Sequence, residues 1–216
     1  MTHVAPARRR LKPEVRRQRL LEAAASVFAE RGYEAARIEQ IAEAAGVSAG
    51  LLYRHFAGKR DLYAELVHQA DRELLHHLAE AAAPGPPSGE RLERGLDAVL
   101  EFVEEHRNLW QMLMRDVVDP EIAELREASH RQAVTMVANL TRLDPELSRQ
   151  RVSSLEVERM AVLIVGSACT IADWWTDHPR VPRAELVRTL MGVLWLGFER
   201  LRAGERYPVD GDLTRG

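Results

Sequence analysis

The sequence predicts an all-α chain in two parts, a small basic head followed by a larger acidic helical body. Three observations predict it. Strand formers are sparse, while Ala, Leu, Glu and Arg, all compatible with helix, dominate the 216 residues. Apolar residues recur at helical spacing through segments separated by Gly and Pro. The net charge of −3 is unevenly spread: residues 1–60 carry 12 Lys/Arg against 6 Asp/Glu, the remainder 18 against 27. With 46% hydrophobic and 29% charged residues, the chain is globular rather than disordered.

The elements follow in order. Residues 1–12, with the cluster Arg8, Arg9, Arg10 and Lys12, read as a flexible basic arm, either a solubilising tail or a strand of charge for a phosphate backbone. A first helix starts at Pro13, suited to a first helical turn. It runs to about Arg31 with Leu20, Ala24, Val27 and Phe28 on one face, and Gly32 stops it. A second helix spans about 37–44 and buries Ile38, Ile41 and Ala42. Gly46 supplies a tight turn, Val47 plugs the corner, and Ser48 caps a third helix ending near His55. A fourth helix opens at Gly58 and Lys59 and runs to about Ala82 with Leu62, Leu66, Ala70 and Leu74 inward. The run PGPPSG at 84–89 ends it. The body divides into segments at about 90–106, 108–117, 120–142, 153–177 and 182–203, punctuated by Pro120, Pro145, Pro179 and Pro182. The expected domains are 13–60 and 61–204, the fourth helix joining them, with a frayed tail at 205–216.

Two short helices across a glycine turn form a helix-turn-helix, a device that places a helix in the DNA major groove. The stretch RIEQIAEAAGVSAGLLYRHFAGK, residues 37–59, has that pattern. Its surroundings make it more specific: Arg17, Leu20, Leu21, Ala23, Ala24, Phe28, Glu30, Gly32 and Tyr33 precede Ile38, Ile41, Ala42, Ala45, Gly46, Val47, Ser48, Gly50, Leu52, Tyr53, His55, Phe56, Lys59 and Leu62. In these residues the chain resembles the TetR family of transcriptional regulators, over about a fifth of its length. The resemblance implies a DNA-binding head, a C-terminal ligand-binding and dimerisation domain, and a palindromic double-stranded operator bound by a homodimer. The chain departs from the pattern at Ala36, where the family has Thr or Ser; the missing hydroxyl removes a helix cap typically worth ~1 kcal/mol.

The resemblance places Arg37, Ser48, Ala49, Gly50, Leu51, Tyr53, Arg54, His55 and Lys59 at the DNA. Gly50 lets a phosphate or base approach the backbone. Arg54 reads guanine through its fork or holds a phosphate. Tyr53 and His55 resemble phosphate-binding aromatics, or else Tyr53 packs between helices and His55 bonds internally. Lys59, beside the free amides of the fourth helix, makes an anion site or is a solvated lysine. Leu52 and Phe56 belong to the core.

In the body, Phe102, Trp110, Met114 and Met136 with Trp174 suggest an adaptable apolar pocket, to which Asp116, His130 and Asp173 add polar groups. Each alone is equally a core residue; the resemblance implies a pocket among the middle helices. An apolar effector of fatty-acyl type fits the lining best, a lipophilic cation second. The helix at 153–177 is apolar nearly all round from 160 to 171 and needs cover on more than one side. With the last helix, carrying Gly192 and Gly197, the resemblance makes it the dimer interface; an ordinary monomer core is the alternative.

No catalytic or metal-binding set is legible: HExxH, a Gly-rich phosphate loop and GxSxG are absent, and no cofactor is implied. The single Cys169 excludes an internal disulfide and reads as a small core residue in a reducing, cytoplasmic setting. The longest apolar run, 160–172, is too short to span a bilayer. A ligand-released repressor is expected ahead of an effector-free DNA-binding protein or an activator, and an enzyme least of all.

Overall fold

The computed structural model describes residues 13–81, 85–114 and 118–203. The basic arm, the C-terminal tail and Asp116 lie outside the described residues. These contain ten helices and no strand: α1 Pro13–Ala35, α2 Ile38–Ala44, α3 Ala49–Tyr53, α4 Lys59–Ala81, α5 Ser88–Glu105, α6 Arg107–Met114, α7 Pro120–Arg142, α8 Pro145–Arg149, α9 Ser154–Asp177 and α10 Arg183–Arg202. The chain divides into two compact units. The first runs to Gln69 and takes in Asn108–Leu125; the second comprises Ala70–Arg107 and the residues from Arg126 on.

The first unit is built on α1–α3 and the start of α4. Leu20, Ala24 and Phe28 sit one turn apart on α1 and are buried with Ile41, Leu52, Phe56 and Leu62. Phe28 and Tyr33 both meet Tyr63 edge-on, with ring centroids 5.3 and 5.2 Å away, a geometry worth ~0.5–1.5 kcal/mol per pair beyond area burial. Gly32 breaks α1 at φ 78 and ψ 164, a conformation open essentially to glycine alone. The unit does not end at residue 60, as the sequence suggests. Tyr63, Leu66 and Val67 are buried one to two turns into α4, and the Tyr63 hydroxyl donates to the Met112 carbonyl of α6 at 3.3 Å. These contacts carry the head past residue 60 and bring α6 into it.

In the second unit α5, α9 and α10 pack together. Leu96, Leu100 and Val103 form the inward stripe of α5; Val157, Ala161, Ala168, Ala172 and Trp175 that of α9; Leu186, Val187, Leu190 and Leu194 that of α10. Gly89 lies so close to Trp195 that a Cβ there would stand 2.9 Å from the indole, which joins α5 to α10. Arg183 at the start of α10 ion-pairs with Asp97, Glu101 and Glu104 of α5 at 3.0, 3.1 and 3.3 Å. Ser153 and Glu156 make a reciprocal capping box on α9. Helix α8 departs from the sequence expectation, in which Pro145 marks a break. Asp144 caps it, accepting from the Leu147 amide at 3.2 Å, and Pro145 takes the first helical position.

Candidate nucleic-acid interface

The helix-turn-helix forms from local signals. Arg37, extended at φ −121, precedes α2, and its amide donates to the Gln40 side-chain oxygen at 3.0 Å. The glutamine thus supplies half of a capping box from inside the helix. Ala36 is not the N-cap; it is 2% exposed and belongs to the core. At the other end of α2, the Val47 amide donates to the Ala42 carbonyl and the Gly46 amide to the Glu43 carbonyl, both at 2.9 Å. This is a Schellman closure around Gly46 at φ +67. Ser48 then caps α3, its hydroxyl accepting from the Leu51 amide at 3.3 Å.

With the turn fixed, the expected DNA-facing residues separate by exposure. Arg37, Ser48, Gly50, Tyr53 and Arg54 are exposed, while Ala49, Leu51 and His55 are half-buried. Tyr53 leaves 53% of its surface in solvent, unusual for so large a ring. A Cβ on Gly50 would meet nothing within 4 Å, so internal packing does not require glycine there. Leu52 and Phe56 are buried as expected. The Arg17 guanidinium lies 5.2 Å over the Phe56 ring and bridges to Glu65 at 3.2 Å, tying α1 to the end of the motif and to α4.

Lys59 has a different setting from the solvent-facing anion site its position suggests. Its ammonium donates to the carbonyls of Tyr33 at 2.7 Å and Glu34 at 3.1 Å, and sits 4.4 Å over the Tyr33 ring. It thereby satisfies carbonyls left open at the end of α1. The Ala57 amide beside it is taken by the Asp61 carboxylate at 2.8 Å.

Sequence reasoning missed the residues next to Lys59. Glu34 accepts from the amides of Val118 at 2.7 Å and Asp119 at 3.3 Å. Asp119 caps α7 with one oxygen, accepting from Glu121 and Ile122 at 3.1 and 3.3 Å, and receives Arg60 on the other at 3.1 Å. Arg60 also pairs with Glu121 at 3.0 Å. The Val118 amide holds the Glu34 carboxyl below the usual carboxylate range, and the Arg60 hydrogen bond does the same for Asp119. The Asp-Pro-Glu run at 119–121 announced the helix start; nothing local announced a partner about sixty residues away.

The expected effector residues fall in unlike surroundings. In the first unit, Trp110 is buried at 3% exposure and Met114 is half-buried. The Trp110 indole N–H has no hydrogen-bond partner among the described residues. In the second unit, Phe102 is fully buried against His106, Met136 is half-buried, and His130 and Asp173 are exposed. Trp174 is 43% exposed and stacks on His178. Its neighbour Trp175 is the core indole, 2% exposed and donating to the Val181 carbonyl at 2.8 Å. One residue turns a helix by about 100°, which separates the two. Burial pushes the Cys169 thiol up to about 11, as in an inert core cysteine. No three His, Cys, Asp or Glu of the described residues are grouped to hold a metal ion, and no helix among them is long and apolar enough to cross a membrane.

Residues 20–66 match the profile of the bacterial regulatory proteins of the TetR family, and 88–197 that of the tetracycline repressor-like C-terminal domain. The chain belongs to the TetR family. It is 27% identical over 198 residues to the HTH-type transcriptional activator FasR of Mycolicibacterium smegmatis, an alignment covering 89% of this chain and 87% of that one. A TetR-like transcriptional regulator from a Rhodococcus species has the same fold, with TM-score 0.73 and 26% identity over 88% of this chain and 99% of its own. FadR of Bacillus subtilis, solved in complex with stearoyl-CoA, matches in fold at TM-score 0.68 and 19% identity, covering 88% and 99% of the two chains. As a member of the family, the chain is a DNA-binding transcriptional regulator and not an enzyme.

Proposed function

We propose that this TetR-family regulator binds a palindromic operator as a homodimer and releases it on binding an apolar, acyl-type effector. On the DNA side, Arg37, Tyr53 and Arg54 make the main contacts, with Ser48, Ala49, Gly50, Leu51 and His55 close to the duplex. Lys59 is assigned to holding α4 on α1. On the partner side, Val162 and Leu163 of α9 and Val193 and Leu196 of α10 are exposed, and Cβ atoms on Gly166, Gly192 and Gly197 would meet only open space. A second copy of the chain covers these helices.

The observation that carries the effector reading is the buried N–H of Trp110, which has no hydrogen-bond partner among the described residues. Leaving such a donor without an acceptor costs ~1–3 kcal/mol. An acyl carbonyl beside an apolar chain satisfies it; a lipophilic cation without oxygen or nitrogen, such as tetraphenylphosphonium, has no acceptor to offer. FadR of Bacillus subtilis, alike in fold, holds an acyl-CoA. Release of operator DNA by oleoyl-CoA and by tetraphenylphosphonium tests this. The acyl ligand is expected to release DNA and the cation not. Trp110→Phe should then raise the oleoyl-CoA needed by about 3- to 10-fold, the worth of one neutral hydrogen bond. Release by the cation alone would reverse the choice of effector. An activator is the second reading, favoured by the name of FasR; a reporter whose output falls on deleting the regulator would establish it.

A further inference from the structure

The contacts at the end of α1 do more than close the head. Within the first unit, Glu34 of α1, Arg60 of α4 and Asp119 before α7 converge through 2.7–3.3 Å hydrogen bonds. Two of the three elements leave that unit as continuous helices: α4 crosses into the second unit after Gln69 and α7 after Leu125. The third, α1, forms the packed core under the helix-turn-helix. α4 begins six residues after α3 ends, so Arg60 is one short loop from the recognition helix.

We propose that Glu34, Arg60 and Asp119 are positioning residues that make the first turn of α7 part of the DNA-binding head, so that occupancy of the recognition surface and the state of the 118–122 junction are coupled. The chemistry suits a switch better than a brace. The Arg60 side chain is 53% exposed and Glu121 69%, so their pairing adds little to stability. The pairing is nonetheless directional: Arg60 spans Asp119 and Glu121 with separate nitrogens, and Asp119 divides its oxygens between Arg60 and the α7 amides. A rotation or slide of α7 shifts Asp119 and Glu121 together, and Arg60 passes that to the first turn of α4. By reciprocity, holding the head on DNA must steady the junction. This rests on DNA binding by the head and is independent of the effector's identity.

The test is amide hydrogen exchange of the full-length chain, free and bound to a duplex recovered by selection from a random pool. In the wild type, DNA should slow exchange at 118–122 at least about fivefold, the lower end of ordinary coupling. Asp119→Asn keeps an oxygen to cap α7 but loses the charge facing Arg60. In that variant, and in Arg60→Gln, DNA should still protect residues 38–54 while leaving 118–122 unchanged; Arg60→Lys should restore part of the protection. The proposal is overturned if DNA leaves 118–122 unprotected in the wild type, or if both variants keep the wild-type protection. Should Arg60→Gln fail to fold, the near-isosteric Asp119→Asn decides alone.

Discussion

The recognition end of the head and the α9–α10 pair both leave side chains in solvent, but of opposite kinds. Around α2 and α3 the large apolar residues other than Tyr53 are inside, and Arg37 and the Tyr53–Arg54 pair project, with Glu39 and Glu43 also exposed on α2. On α9 and α10 an inward stripe is equally well buried, yet Val162, Leu163, Val193 and Leu196 face outward, Val193 at 72% exposure. A face that has buried its own apolar residues and shows cations fits a polyanion. A face with apolar residues left over fits another apolar face. The two surfaces therefore suit partners of different chemistry.

The largest effect is expected at the apolar face. The double variant Val193→Asp with Leu196→Asp should abolish dimers in sedimentation velocity. Operator affinity should fall by about two to three orders of magnitude, since a monomer holds only one half-site. Dimers that persist would show that another surface joins the copies. At the polar end, Arg54→Ala should cost ~1–3 kcal/mol at one operator position and relax base preference there, measured by binding to single-base operator variants. A uniform loss across all sequences would reassign Arg54 to a phosphate.

Lys59→Ala sharpens the boundary between contact and scaffold. Because the ammonium is bonded to the Tyr33 and Glu34 carbonyls, its loss should lower stability by ~1–2 kcal/mol in urea unfolding while leaving the salt slope of DNA binding unchanged. A slope flattened by about one would return Lys59 to the phosphates. The smallest effect is on pH dependence. Glu34 and Asp119 are held below ordinary carboxylate values among Lys59, Arg60, Glu121 and Tyr33. Their contribution is therefore full at neutral pH and is lost as pH falls through the lowered values. The gap in urea midpoint between wild type and Glu34→Gln should be full at neutral pH and close as pH falls through the lowered Glu34 value. A gap that widens on acidification would refute the pairing.

The head was the more legible region because its signals are local. Gly46, Ser48 and the spacing of Ile38, Ile41 and Leu52 act within a few residues of themselves, and the helices they implied are present. Ala36 pointed to a missing cap, but Gln40, three residues past Arg37, accepts from the Arg37 amide and closes the start of α2 from inside the helix. Lys59 and Arg60 were less readable because their partners lie 25 to 61 residues away, at Glu34, Tyr33, Asp119 and Glu121. In the body the helices were legible from Pro and apolar periodicity, and α8 was missed although Asp144 and Pro145 mark it. Facing was harder: Trp174 and Trp175 have equal hydrophobicity, and only packing decides that the second is inside.

Selection of bound duplexes from a random DNA pool, run on the wild type and on the Val193→Asp, Leu196→Asp variant, tests together whether the head meets DNA and the α9–α10 face a second copy. An inverted repeat is expected for the wild type, with half-sites about one helical turn apart or a multiple of it, and weak single half-sites for the variant. A single unrepeated site for the wild type, or the same inverted repeat at equal affinity for the variant, would contradict it.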